Sequence, residues 1–492
     1  MAQRSGVCSN ETATDQFYDW YGVRLGAQRS GAVDELVVLA WATFQCILNG
    51  IVEHDRPCGA KQGREETIMK RMLGFLVFGA AILGFQVPAT AEPVVIGASL
   101  PITGGLAVNG QKHKDGYELC VELINKAGGL LGDPVKIIIS DNQSSNETAQ
   151  AQFERLINED KVDVLFGTFS SRITFPTTSI AEQNKMVYPI PSGVALQIYM
   201  RDYKYIFNFQ PNAAEYVAQS YLSLMKELVK PADFPKKAAV VYADDFYANA
   251  VVAGMTGKKR QIAGTDKVID LSPGALADAG IEVAFEQQWP EEGFSDWLTL
   301  ANSVKASGAD MVVGFTASPD EAIQLVRALK TVAYQPKTVI LGQGTQLEFL
   351  EGVGDAAEGV MIHSAWHPAV QWKGVLAGKP FTSQDFQREF KAKFGHDPDE
   401  DEAIPFATCQ GMEQAIRATG STDNTVLRDW LAGRTMDSPA KTVLGDFYWD
   451  ERGLPKGKSF LITQWQKGEL KFVYPLGQFP GTSSLIWPKP AW

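Results

Sequence analysis

Short apolar runs alternate with helix-patterned segments along most of the chain, and this order constrains the fold more than any other feature. Val94–Ala98 is strand-like and runs into a Pro/Thr/Gly loop at 101–105. A helical segment, 110–126, follows, with Tyr117, Cys120, Val121 and Ile124 at helical spacing. Gly128-Gly129 ends it. Strand 135–139, helix 146–159, strand 162–166, helix 174–184 and strand 186–190 come next. The pattern then restarts with a helix at 213–228, strands at 238–242, 281–285, 311–315 and 339–341, and helices at 295–306 and 320–330. Strands separated by helices predict a parallel sheet covered on both faces. A strand at 359–362, helices at 383–394 and 404–418, and a hairpin of 460–466 with 470–474 around Lys467-Gly468 follow. The fold class is therefore α/β, with two doubly wound, Rossmann-like units and C-terminal elements able to return to either.

The N-terminal region reads differently. Met69-Lys70-Arg71 is a short basic start, Met72–Phe85 is an uncharged apolar run of 14 residues, and Ala89-Thr90-Ala91 is a small-x-small site. This is the layout of a secretory signal peptide over 69–91, and the run is short for a membrane span. No cysteine follows the cleavage point, so no lipid anchor is expected. Residues 1–68 are read as an upstream extension or a misplaced start, with Met69 as the true one. The mature chain is then expected to begin at Glu92, soluble in the periplasm.

Composition narrows the functions. The 492-residue chain carries 45 basic and 57 acidic residues, a net charge of −12. With no long basic stretch, a nucleic-acid surface is unsupported. Five cysteines without a C-x-x-C pair exclude a disulfide scaffold and most structural zinc sites. Beyond residue 91 only Cys120 and Cys409 remain; they read as buried thiols, in a compartment that would permit a disulfide. His363 and His367 fall at a strand end rather than on one helical face, so no metal site is expected. Asp397, Asp399 and Asp401 alternate like a calcium loop but lack its glycine and final glutamate; they read as a solvated acidic turn. No dinucleotide motif or nucleophile elbow is present, and no cofactor is implied.

Ligands in open α/β sheets bind beyond the carboxyl ends of strands. That rule selects loops 103–109, 167–172, 191–195, 244–247, 314–318 and 342–346. Gly-Thr-Phe-Ser-Ser-Arg at 167–172 offers hydroxyls and N–H groups at a helix N-terminus, a ready carboxylate site, although plain N-capping would use the same residues.

The stretch Val94-Val95-Ile96-Gly97-Ala98-Ser99-Leu100-Pro101-Ile102-Thr103-Gly104 resembles the opening of branched-chain amino-acid-binding proteins of ABC importers, which are type I periplasmic binding proteins. Asn125–Gly132, Asp163–Gly167 before Ser170-Ser171, Asp355–Gly359 and Gly445–Gly453 are similar to the same family. The resemblance runs from about Val94 to Tyr474. It implies two lobes joined by three crossings, expected near 209–211, 364–367 and 444–448. Lobe I is then 92–210 plus 366–445, and lobe II is 211–365 plus 446–492. It also implies a monomer that closes on a small ligand and docks on a membrane permease, with no enzymatic chemistry. An exported sensor on the same scaffold is the alternative; it would need an output domain or an anchor, and no output domain is read after Trp492.

By that resemblance Ser171 falls where a serine meets the ligand carboxylate, Ser192, Gly193 and Val194 at the second carboxylate loop, and Tyr247 at a capping tyrosine. Thr103, Ser170, Phe315, Gln343 and Trp366 join the expected ligand-binding set, and Arg172 is expected to assist at the anionic end. The pattern also departs from the family. Asn109 stands where branched-chain binders carry tryptophan, and Gly344 where they carry the acid for the α-ammonium. Asp244 or Asp245 could supply that acid. With the ammonium half otherwise empty, the expected ligand is a small carboxylate without an ammonium, aromatic in character. Phe169, Tyr199, Tyr247, Phe315 and Trp366 form the candidate wall; branched-chain amino acids, amides or urea are the alternatives.

Overall fold

The computed structural model describes residues 93–492. The signal-peptide reading and the upstream cysteines lie outside that range.

The first lobe starts with β1 (Val94–Leu100), α1 (Ala107–Lys126), β2 (Val135–Asp141), α2 (Asn146–Asn158), β3 (Val164–Phe166) and α3 (Ser171–Gln183). It continues through β4 (Tyr188–Ile190), the short α4 (Leu196–Tyr199) and β5 (Ile206–Asn208). β1 is central, parallel to β2 on one side and β3 on the other, and β4 pairs parallel with β5. Alternate residues of β1 (Val94, Ile96, Ala98 and Leu100) join Tyr117 and Ile124 of α1 in one core. The opposite face is closed by Phe153 and Leu156 of α2 and Ile180 and Ala181 of α3. Both faces are covered, as the near-continuous apolar strands require.

The second lobe carries α5 (Val217–Leu228), β6 (Lys237–Ala243), α6 (Phe246–Thr256), the small ribbon β7 (Arg260–Gln261) and β8 (Val268–Ile269), and α7 (Ala275–Asp278). Next come β9 (Glu282–Trp289), α8 (Trp297–Ala306), β10 (Met311–Phe315), α9 (Pro319–Thr331), β11 (Thr338–Leu341), α10 (Leu347–Val353) and β12 (Met361–Ser364). The chain then returns to the first lobe with β13 (Lys373–Leu376), β14 (Lys379–Thr382), α11 (Ser383–Phe394), α12 (Glu400–Thr419), α13 (Asn424–Ala432), β15 (Ala440–Thr442) and β16 (Gly445–Phe447). It ends in β17 (Leu461–Gln466) and β18 (Glu469–Tyr474), an antiparallel hairpin on the edge of the second sheet. That sheet has seven strands in the order β18-β17-β12-β11-β10-β6-β9, parallel from β12 to β9.

Three differences from the sequence pattern have clear causes. α6 was not expected, because Phe246–Thr256 is almost wholly apolar and so carries no amphipathic period; it is a buried helix. α12 begins at Glu400 rather than 404, ahead of an internal Pro405 that reads as a helix start. The third crossing comes after Leu454 and not at 444–448: Trp449 Nε1 donates to the Asn208 carbonyl at 2.6 Å, the Asn208 N–H donates to the Gly453 carbonyl at 2.8 Å, and Leu454 packs in the first-lobe core.

Cys120 and Cys409, whose pairing the sequence left open, form a disulfide. Cys120 of α1 is bonded to Cys409 of α12, 289 residues away. One turn earlier, a Cβ on Gly116 would lie 2.3 Å from the Glu402 carbonyl oxygen. Glycine is therefore what lets α1 approach the first turn of α12 so closely. Among the described residues no helix is long and apolar enough to cross a membrane.

Candidate ligand-binding site

The carboxyl ends of β3, β4, β6 and β11 and the N-terminus of α12 converge on a cavity between the lobes. One end is built from donors. Ser170 is the N-cap residue of α3, is 4 % exposed, and lines the cavity with its hydroxyl unbonded among the described residues. The free N–H groups of the first turn of α3 and its dipole favour an anion there. Ser171 Oγ accepts the Val194 N–H at 3.0 Å, and Thr174 Oγ1 donates to the Ser192 carbonyl at 2.7 Å. These bonds tie the helix to the 191–195 loop. A Cβ on Gly193 would lie 2.6 Å from Thr174 Cγ2, so the loop needs glycine to sit this close.

The other end is built from acceptors, on residues that sequence reasoning read as a solvated turn. Only Asp397 of that run is solvated, paired with Lys391 at 2.9 Å. Asp399 caps α12: its carboxylate accepts the Asp401 N–H at 2.8 Å, and its own N–H donates to Glu402 Oε2 at 2.8 Å. This reciprocal cap is legible as Asp399-x-x-Glu402, and it was the signal that could have located the helix start. Glu400 and Asp401 then fall in the first turn and line the cavity. Glu400 accepts from Thr345 Oγ1 at 2.8 Å and from the Ala365 N–H at 2.7 Å. Asp401 Oδ2 accepts from Gln346 Nε2 at 2.7 Å and Asn109 Nδ2 at 3.0 Å. Lys112 bonds Asp399 at 2.5 Å and reaches Glu348 at 3.2 Å. Lys112 thus faces three of the four acids of this run, Asp399, Asp401 and Glu402. Burial, then the neighbouring carboxylates, push Glu400 up to about 8 and Asp401 up to about 6.

Tyr247, Phe169 and Phe460 supply apolar wall between the ends. Tyr247 Oη lies 3.0 Å from Nε2 of His363, which also lines the cavity.

Of the residues expected from sequence, Ser170, Ser171, Ser192, Val194, Tyr247 and Gln343 line this cavity. Others sit elsewhere. Thr103 is exposed and donates to Asp141 at 2.7 Å. Asn109 is fully buried under Asp401 and acts on the cavity only through it. Arg172 does not reach the anionic end. Its Nε lies 2.8 Å from Glu291 Oε1 and its Nη2 donates to the Ser144 carbonyl at 2.9 Å, beside a separate opening. Phe315 is core, ring-stacked on His363 at 6.0 Å, and Trp366 is core, edge-on to Phe386 at 5.6 Å. Tyr199 is buried and donates to the Gly193 carbonyl. Asp244 is exposed and bonded to Asn249 and Gln288. Asp245 caps α6 and also accepts the Ala317 N–H. Neither supplies the missing acid. The end away from the serines is therefore not empty of acids: Glu400 and Asp401 of α12, in lobe I, line it. Pattern could not reveal this, because residues so far apart in sequence meet only through the return of the chain to lobe I.

Similar proteins share this architecture. The chain is 25 % identical over 404 residues to Leu/Ile/Val-binding protein homolog 7 of Brucella suis, covering 80 % of this chain and 94 % of that protein. It is 25 % identical over 396 residues to an amino acid binding protein of Pseudomonas aeruginosa, covering 78 % of this chain and 93 % of that one. Among solved structures, a branched-chain amino acid transporter substrate binding protein from Streptococcus pneumoniae in complex with isoleucine matches with a TM-score of 0.64 and 18 % identity, over 78 % of this chain and 100 % of its own. An ABC transporter solute binding protein from R. palustris in complex with benzoate matches with a TM-score of 0.62 and 17 % identity, over 81 % of this chain and 97 % of its own. The profile of the periplasmic binding proteins matches residues 93–469, both lobes and all three crossings, and the chain belongs to that family.

Proposed function

We propose that this chain is the periplasmic receptor of an ABC importer, which holds a small amino-acid-like carboxylate between its lobes and delivers it to the permease. It performs no chemistry on the ligand, and residues 69–91 export it. The observation that carries the reading is the polarity of the cavity. Donors at Ser170 and the start of α3 and the acceptors Glu400 and Asp401 line one cavity. A carboxylate fits the first end, and a cationic or N–H-rich group offsets the buried acids at the second. Both ends stand on lobe I, and Tyr247, Gln343 and Phe460 of lobe II line the same cavity. A ligand held by the two ends that also meets these side chains contacts both lobes at once, which favours the closed state over the open one.

An aromatic acid without an ammonium is the second reading. It is supported by the aromatic wall of Phe169, Tyr247 and Phe460 and by the benzoate held in a similar fold. A thermal-shift panel separates the two, because a ligand specific for the native state raises apparent stability by mass action. Amino acids should stabilise at micromolar concentration. Stabilisation by benzoate-like acids alone would select the aromatic reading. A ligand without a carboxylate, identified by mass spectrometry of natively purified protein, would overturn both. Ser171→Ala should weaken binding by about 1–3 kcal/mol, since it frees the Val194 loop and removes a hydroxyl from the cavity wall.

A further inference from the structure

A hydrogen-bonded relay runs from a buried tyrosine to the cavity wall, and its direction is not used in the reading above. Tyr221, 1 % exposed, donates its hydroxyl proton to the Leu341 carbonyl at 3.2 Å. Its oxygen also lies 3.4 Å from His363 Nδ1. On the far side of the ring, His363 Nε2 lies 3.0 Å from Tyr247 Oη, which lines the cavity. The rest of the ring is packed by Phe315, stacked at 6.0 Å, and Phe460, edge-on at 5.0 Å. Burial among these groups pushes His363 down to about 4, so the ring is neutral near pH 7 and carries one N–H.

The position of that single proton follows from the partners. Tyr221 has one proton and gives it to a carbonyl that can only accept. Its oxygen is left to accept from Nδ1, so Nδ1 carries the hydrogen and Nε2 is bare. A bare Nε2 accepts the Tyr247 proton. The opposite tautomer would draw the Tyr221 proton to Nδ1 and leave the Leu341 carbonyl without it, at a cost in buried hydrogen bonding.

We propose that His363 fixes Tyr247 as a hydrogen-bond acceptor toward the cavity, so that the ligand must present an N–H or O–H group to it. This rests on the cavity being the ligand site. His363 is a positioning residue: it acts through Tyr247. The consequence is discrimination by polarity. An amine or hydroxyl is accepted at this point, whereas a carbonyl of the same shape meets an oxygen lone pair.

Two measurements test this. The first is independent of any ligand: nitrogen-15 NMR of the histidine side chains, of which the chain has five, with His363 assigned by loss of its signals in His363→Gln. A neutral ring protonated at Nδ1 is expected at neutral pH; protonation at Nε2 overturns the proposal. The second compares leucine, 2-hydroxy-4-methylpentanoate and 4-methyl-2-oxopentanoate, with phenylalanine, phenyllactate and phenylpyruvate as an aromatic set. Within a set, the keto acid should bind roughly ten- to a hundred-fold more weakly than the amino or hydroxy acid. His363→Phe should narrow that gap by freeing the Tyr247 proton. Tyr247→Phe should narrow it as well, by weakening only the donor-bearing ligands. A keto acid bound as tightly as its partners in the unmodified protein overturns the proposal. Stabilisation by none of the six counts against the carboxylate reading instead, and the NMR result then decides His363 alone.

Discussion

Glu400 and Asp401 set the chemistry of the cavity, and their titration makes it testable. Burial raises both above the ordinary carboxylate range, Glu400 to about 8 and Asp401 to about 6. Each then holds a proton in the folded, unliganded protein at pH values where the unfolded chain has lost it. Folding stability from these groups is full at low pH and falls as pH rises through those values. Between about pH 6.5 and 8 the unliganded protein should lose stability, with Glu400 contributing about 1 kcal/mol per pH unit and Glu215, Asp245 and Glu402, also raised by burial, adding to the slope. Glu400→Gln should flatten that slope in thermal melts. Burial lowers His113 and His363 to about 4, so their stabilising contribution is lost only on acidification and does not mask the effect. A cationic ligand group requires the ionised carboxylates. Its affinity should therefore rise with pH over the same range, with proton release on binding seen as a buffer-dependent heat in calorimetry. A pH-independent affinity would mean that the acids do not face a cation.

At the scale of elements, the site depends on how α12 is held against α1. The approach at Gly116 holds the first turn of α12, and the Cys120–Cys409 disulfide clamps the same helix about two and a half turns further on. Gly116→Ala places a methyl 2.3 Å from the Glu402 carbonyl oxygen. It should destabilise by about 1–3 kcal/mol through overpacking and weaken ligand binding by displacing Glu400 and Asp401. Calorimetric melts and titrations read the two effects separately. Reduction of the disulfide, or Cys120→Ala with Cys409→Ala, should cost about 2–5 kcal/mol, whether through the unfolded chain or through native contacts. Melts with and without a reductant check this, and an unchanged melting temperature would show that the bridge does not constrain the fold.

For the whole molecule, the lobes meet through contacts outside the ligand cavity. Arg172 of lobe I pairs with Glu291 of lobe II, and Lys112 of lobe I with Glu348 of lobe II. Both pairs are partly exposed, so each is worth about 0–1 kcal/mol and is screened by salt. They bias closure rather than bind ligand. Arg172→Ala should therefore lower affinity only a few-fold, less than Ser171→Ala, and shift unliganded protein toward the open form in small-angle scattering. A double-mutant cycle with Glu291→Ala should give a coupling of about 0.5 kcal/mol. A loss as large as that of Ser171→Ala would return Arg172 to the anionic end.

The fold was legible because its signals are local. Alternating apolar strands and amphipathic helices specify a parallel, two-faced sheet within each window, and the 170–171 serines announce a helix N-terminus wherever it lands. Where local periodicity vanished, as in the uniformly apolar α6, the reading failed. Half of the cavity was legible for the same reason: strand-end loops must lie at one edge of a parallel sheet. The other half was not. Asp399–Glu402 lies some 230 residues beyond Ser171 in the chain, and only the return of α12 to lobe I brings its acids opposite the donors. Arg172 illustrates the converse, since its place beside the serines promised a role that its contact with Glu291 takes away. Sequence alone determined which segments become strands and helices, because hydrogen bonding and burial impose their periods on neighbouring residues. Tertiary structure alone decided which charges share the cavity, because burial and Coulomb energy depend on distance in space and not along the chain.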